Sequence, residues 1–229
     1  MREIVFDTET TGRDPYSGDR LVEIGCVEVV NKIKTGNTFH FYLNPERDVP
    51  EEVVKIHGLT FDFLKDKPKF KEIAGKFLEF VDNDKLVAHN AEFDMKFINA
   101  ELAWAKYTII PESNFIDTLL IARKKFPGQK NNLDALAKRF GVDNSKRTLH
   151  GALLDADILA DVYLELCGGR ELKFSLDKEN IQSINLVSQE ETSFRKKREP
   201  RNLYPLTNEE IAVHNSFVKD IKNSLWLKD

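Results

Sequence analysis

Two carboxylates one residue apart, Asp7 and Glu9, follow the apolar run Ile4-Val5-Phe6. Three consecutive apolar residues read as a short strand buried on both faces, with the acids placed where that strand should emerge from the core. Side chains two apart on an extended chain point the same way, so the two carboxylates lie side by side. Like charges held that close repel unless a cation sits between them, and a divalent metal bound by oxygen ligands is the usual answer. A strand end carrying two solvated acids has the same sequence, and the pair alone does not decide between the two.

Three further positions could complete such a site. Asp94 falls in the first turn of a helix, after His89-Asn90 and a short buried strand, Leu86-Val87-Ala88. His150 and Asp155 stand at the start of the last core helix. In α/β sheets, sites form where strand ends and the following loops converge. Asp7, Glu9, Asp94 and Asp155 could therefore meet at one sheet edge with His150 beside them. Taken singly, each has a plainer role. Asp94 suits a helix dipole, Asp155 sits among the acids Asp157 and Asp161, His150 could be an idle loop residue, and His89 could cap or pack.

The elements that must position these residues are legible in outline. Residues 13–19 have loop composition, and the β-rich runs 21–30 and 38–43, separated by 31–36, should pair as an antiparallel hairpin. Pro50 fits the first turn of a short helix through His57, terminated by Gly58, and residues 62–65 look like a minor element. Phe70, Ile73, Ala74, Phe77, Leu78 and Val81 recur at helical spacing over residues 69–81. Asn90 is the expected N-cap of a helix over residues 91–105, buried along Phe93, Phe97, Ile98 and Leu102. A brief strand near residues 114–117, a helix over 118–126 ended by Pro127-Gly128, and a helix capped by Asn132 and closed by Gly141 follow. The last core element spans residues 151–167, stopped by Gly168-Gly169. Strands first as a hairpin and then alternating with helices make a mixed sheet flanked by helices, an α/β domain over residues 1–169.

Composition bounds the rest. At 229 residues, 41% hydrophobic and 31% charged, the chain suits one substantial domain plus an appendage. No apolar run reaches membrane-spanning length and no signal-peptide pattern opens the chain, so a cytoplasmic protein without membrane contact is expected. Cys26 and Cys167 read as two buried thiols, neither a metal site nor a redox pair. A net charge of -4 is unusual for a protein that binds nucleic acid through an extended basic surface, so a nucleic-acid substrate would be gripped locally, through metals or through a partner.

Jointly, Asp7-Thr8-Glu9-Thr10-Thr11-Gly12, His89-Asn90-Ala91-Glu92-Phe93-Asp94 and His150-Gly151-Ala152-Leu153-Leu154-Asp155-Ala156 resemble, in order and spacing, the three exonuclease motifs of the DEDDh family. Asn144-Ser145-Lys146-Arg147-Thr148-Leu149-His150 and Phe126-Pro127-Gly128 resemble, within it, the proofreading subunits of bacterial DNA polymerase III. The resemblance implies an RNase H-like fold with a five-stranded mixed sheet and 3'-to-5' hydrolysis of single-stranded DNA ends, releasing nucleoside 5'-monophosphates. It makes Asp7, Glu9, Asp94 and Asp155 the ligands of two divalent ions, Mg²⁺ with Mn²⁺ able to substitute, and His150 the general base. It places Glu9, Thr10 and Thr11 at the terminal sugar, and Ile56, His57 and Phe93 against the last bases, with Asp7 and Asp155 also touching substrate.

Beyond the core, residues 170–204 read as a flexible linker with a basic run, Arg195 to Arg198, and residues 205–229 as an amphipathic helix. Thr207 and Glu210 match a capping box, and Ile211, Val218, Ile221 and Leu225 share a face. The resemblance implies docking of that helix on the polymerase III alpha subunit. It also raises a small third core subunit and the sliding clamp as partners. The segment 170–176 stands where a clamp-binding peptide would, but lacks a glutamine at its start. Two other functions stay open at this stage: a DEDDh ribonuclease acting on RNA 3' ends, and a mainly structural polymerase subunit.

Overall fold

Strand β1 runs over Arg2–Thr10, longer than its apolar run predicts, so Asp7 and Glu9 lie within the strand and not beyond its end. Pairing explains the extension. Every residue of β1 has an antiparallel partner in β2 (Leu21–Val30), Asp7 opposite Gly25 and Glu9 opposite Glu23. The register slips between Glu9 and Thr10, a bulge that re-aims the chain beside the acids. The hairpin that follows is also tighter than expected. Strand β3 covers Ile33–Tyr42, and Asn31 and Lys32 alone make the turn, both with positive φ (51° and 65°). A two-residue turn of that hand matches the strand twist, whereas the predicted six-residue connection 31–36 does not form.

Strands β4 (Lys85–Ala88) and β5 (Phe115–Asp117) add in parallel on the other side of β1. The sheet order is β3-β2-β1-β4-β5, a mixed five-stranded sheet flanked by helices. In this computed structural model the described residues are 1–145, 147, 149–168 and 207–220. The chain divides into two compact units, Met1–Lys173 and Phe174–Asp229. The linker expectations, the clamp-segment expectation and the face positions Ile221 and Leu225 lie outside the described residues.

Strand alternation divides the core in two. Ile4 and Phe6 pack with the residues of helices α3 (Phe70–Val81) and α4 (Ala91–Trp104). Val5 packs on the opposite face with α6 (Leu133–Phe140) and α7 (Ala152–Leu166). Three shorter helices complete the layers: α1 (Glu51–His57), α2 (Phe61–Leu64) and α5 (Thr118–Lys125). By the same alternation Thr8 shares the α4 face, while Asp7 and Glu9 share the face that α7 covers.

Gly25 lets α7 reach that far. A Cβ there would stand 2.3 Å from the Leu153 nitrogen and 2.4 Å from the Ala152 carbonyl carbon, so the first turn of α7 rests directly on the backbone of β2 opposite Asp7. Glycine inside a strand marks such a close approach. Gly25→Ala is expected to lift that turn and lower stability by about 1–3 kcal/mol. Because Asp155 rides on the same turn, nuclease activity should fall further than stability, as thermal melts and 3'-end degradation measured side by side would show. Parental activity would mean that α7 is not seated there.

Two local expectations need correction. Asn90 occupies the N-cap position of α4 but makes no side-chain cap; it is held at φ 70°. Its N–H donates instead to Asp117 Oδ1 at 3.0 Å, and that same oxygen caps α5 by accepting from Leu119 N at 2.8 Å. Cys26 is buried as predicted, but Cys167 is exposed, because α7 ends at Leu166 and Cys167 is its C-cap. Asn132 does cap α6, accepting from Ala135 N at 3.0 Å. Helix α8 (Asn208–Asp220) begins with the expected reciprocal bonds between Thr207 and Glu210. Among the described residues no helix is long and apolar enough to cross a membrane.

Candidate active site

The C-terminal ends of β1 and β4, adjacent and parallel, open the cleft where α/β sheets bind ligands. Asp7 and Glu9 arrive there on β1, Asp94 on the first turn of α4, and Asp155 on the first turn of α7. Asp94 and Asp155 are buried to 3% and 2% exposure, and Glu9 to 9%. Asp94 is fixed from the opposite face of the strand, accepting from Thr8 Oγ1 at 2.7 Å. Helix dipole and bulge thus converge on one pocket of acids.

The electrostatics of that pocket are strained. Burial pushes Glu9 up to about 8, reinforced by the charges of Asp155, Glu23 and Asp94. Burial likewise lifts Asp94 to about 7, although the Thr8 hydroxyl works in the other direction. Asp7 still reaches solvent along one edge, yet desolvation and then Asp94, Glu9 and Asp155 hold it well above the usual carboxylate range. Arg147 opposes the rise at both Asp7 and Glu9.

Glu9, His150 and Asp155 bring ligand atoms within 4.8 Å of one another. Asp7 and Asp94 join them through charge, outside that tightest group. His150 is held by its own N–H, which donates to the Ile56 carbonyl at 3.1 Å, while its ring stays about half exposed. His150 Nδ1 lies 2.8 Å from Arg147 Nη2 and 3.2 Å from Asp155 Oδ2. Arg147 Nη2 also lies 3.4 Å from Nε2, so the guanidinium stands against both ring nitrogens, and a neutral ring that accepts through Nδ1 carries its proton on Nε2.

The predicted substrate residues differ in what they offer. Ile56 is half exposed, and Phe93 is partly exposed with its ring 5.1 Å from that of Phe97. His57 is buried, with Nδ1 accepting from Leu59 N at 3.0 Å and Nε2 without a hydrogen-bond partner. Thr10 Oγ1 donates to the Gly12 carbonyl at 2.6 Å, and the Thr11 backbone is tied to Arg20. Those bonds fix the loop after β1 that would face a terminal sugar.

Comparison with known proteins bears on this cleft. The exonuclease family model matches residues 4–163, a span that includes all four acids and His150. DNA polymerase III subunit epsilon of Rickettsia felis is 50% identical over 224 residues, 96% of this chain and 97% of that protein. The Escherichia coli subunit of the same name is 46% identical over 225 residues, 94% of this chain and 91% of that protein. The chain belongs to the epsilon-subunit family of DNA polymerase III. Among solved structures, exonuclease X in complex with 5'-overhanging duplex DNA is similar at TM-score 0.56 and 27% identity, covering 72% of this chain and 89% of that one. The nuclease domain of 3'hExo, a DEDDh family member bound to rAMP, shares the fold at TM-score 0.63 and 18% identity, over 72% of this chain and 91% of that one.

As an epsilon-family exonuclease the chain acts at 3' ends, and its exonuclease fold implies divalent metal ions. The residues present fit them. All four carboxylates are hard oxygen donors, and three are pushed up by burial and by one another, which a multivalent cation would relieve. Sequence reasoning missed two features of this site. Thr8, the hydroxyl that fixes Asp94, was legible as the odd residue of the alternating run 7–9. Arg147, whose guanidinium lies against Asp155, entered only as part of the stretch 144–150 and was given no role, because a basic residue in a loop usually faces solvent.

Proposed function

We propose that this chain is a proofreading 3'-5' exonuclease that removes the terminal nucleotide from single-stranded or frayed DNA as a subunit of DNA polymerase III. The observation that carries the site assignment is the meeting of Asp7, Glu9, Asp94 and Asp155 at the ends of β1 and β4, with His150 at their edge. In this proposal the four carboxylates hold two ions, Mg²⁺ or Mn²⁺, which would polarise the phosphate and lower the pKa of the attacking water. His150 takes the proton of that water, a task suited to an imidazole near neutral pH. Thr10 and Thr11 hold the terminal sugar, and Ile56, His57 and Phe93 abut the last bases. Contacts of that kind read no sequence, so frayed ends of any composition are accepted.

Residues 1–169 form the nuclease domain in this proposal, residues 170–204 a linker, and residues 205–229 the segment that binds the polymerase alpha subunit in the cytoplasm. Ile211, Val213 and Phe217, exposed on α8, support a docking role for that helix. The deciding measurement is 3'-end degradation of single-stranded DNA against RNA of the same sequence, with Mg²⁺ and with a chelator. DNA should be degraded faster, and chelator should stop the reaction. A preference for RNA would overturn the proofreading substrate, and chelator-resistant activity would overturn the role of the metals.

A further inference from the structure

Arg147 is tied to the acids more closely than any other cation in the cleft among the described residues. Its Nε donates to Asp155 Oδ1 at 2.6 Å and its Nη2 to Asp155 Oδ2 at 2.7 Å, a two-pronged grip on a carboxylate that is 3% exposed. The same Nη2 lies 2.8 Å from His150 Nδ1. Its remaining prong, Nη1, donates to Asp134 Oδ1 at 2.7 Å, on the first turn of α6. Only 10% of the Arg147 side chain is exposed.

These contacts have a consequence for the chemistry. A planar guanidinium occupying both oxygens of Asp155 leaves that carboxylate few directions from which to bind an ion. The same guanidinium lies 2.8 Å from His150 Nδ1 and 3.4 Å from Nε2, so whichever nitrogen of the neutral ring carries the lone pair faces a donor and not a water molecule. One side chain therefore covers both a metal ligand and the base. It also supplies the positive charge that the carboxylates lack, lowering Asp7 and Glu9 against the effect of burial.

We propose that Arg147 is a displaceable positioning residue: it holds the carboxylate pocket together without metal, and releases Asp155 and His150 together when Asp155 takes an ion. Asp134 provides the resting place. Its carboxylate is 54% exposed and already bonded to Nη1, so the guanidinium can pivot about that contact without entering solvent unpaired. Metal loading and exposure of the base become one event, and the pocket without metal is inactive by geometry. The proposal rests on the assignment of Asp155 as a metal ligand.

The test is a calorimetric titration of Mn²⁺ into the full-length protein without DNA, comparing the parent with Arg147→Ala and Arg147→Lys. Removing the competitor should tighten Mn²⁺ binding about tenfold in Arg147→Ala, with Arg147→Lys in between, since lysine keeps the charge but not the fork. Thermal melts in chelator should show Arg147→Ala as the least stable of the three, because the acids have lost their counter-charge. Should that variant fail to fold, the parent itself gives the answer by NMR. The Arg147 Nε–H signal should shift or exchange away as diamagnetic Mg²⁺ is added. Equal or weaker Mn²⁺ binding by folded Arg147→Ala, or an Nε–H signal indifferent to Mg²⁺, would overturn the proposal. A parent that binds no Mn²⁺ at all would instead overturn the metal site on which it rests.

Discussion

Replacing Asp7 by Asn together with Glu9 by Gln should abolish nuclease activity and, at pH 8 without metal, make the protein more stable than its parent. The first effect follows from the loss of two ligands. Metal-held charge stabilisation is worth several kcal/mol in a transition state, so turnover should drop by roughly 10³-fold or more. The second follows from the direction of the pKa shifts. Glu9 rises to about 8, Asp94 to about 7, and Asp7 rises as well, so the folded protein holds protons that the unfolded chain has released. Stability then falls as pH climbs from the ordinary carboxylate range through about 8, since the native state binds more protons than the unfolded one. Neutral amides of the same shape remove two of the three groups responsible, so melts across pH 5 to 9 in chelator should be flatter for the variant. Mn²⁺ should raise the melting temperature of the parent and leave that of the variant unmoved. Retained activity would show that the acids are not the catalytic set. Lost activity with a normal Mn²⁺ response would show that they do not hold the ion.

How much of this was legible in the sequence depends on the range of the forces involved. The helices α3 and α6 were readable because their apolar residues repeat at 3.6 and every repeat contacts the same core. The acids were readable as a set only through the resemblance in order and spacing of three motifs, since each alone has an ordinary structural role. The length of β1 was not readable. Its last residues are polar, and only the partner strand keeps them extended, Glu9 opposite Glu23 and Thr10 opposite Leu21. The hairpin turn was obscured for a similar reason: Lys32 at positive φ is an unfavourable choice that the flanking ladder enforces. Gly25 was visible as a lone glycine in an apolar strand, but the helix that needs it lies more than a hundred residues downstream. Arg147 was hidden because its task depends wholly on where three other side chains meet. Local patterns thus supplied the elements, and the contacts that cross between elements supplied the site.

His150→Ala should lower the turnover of single-stranded DNA by about 10²- to 10⁴-fold, the usual span for loss of a general base, while metal-dependent DNA binding persists. The geometry makes this a sharp test, because His150 stands close enough to Glu9 and Asp155 to be a metal ligand itself. Its exposure argues against that role. A ring about half open to solvent, anchored through its backbone to Ile56, is placed to meet a water molecule entering from outside the pocket. Asp155 beneath it is almost wholly enclosed, as a ligand held inside the pocket would be. Comparing Mn²⁺ titrations and DNA-binding curves of the variant with its turnover separates the two roles. A fall in turnover with unchanged Mn²⁺ affinity is the signature of a base. Parallel loss of both would make His150 a ligand. The base would then have to be sought elsewhere.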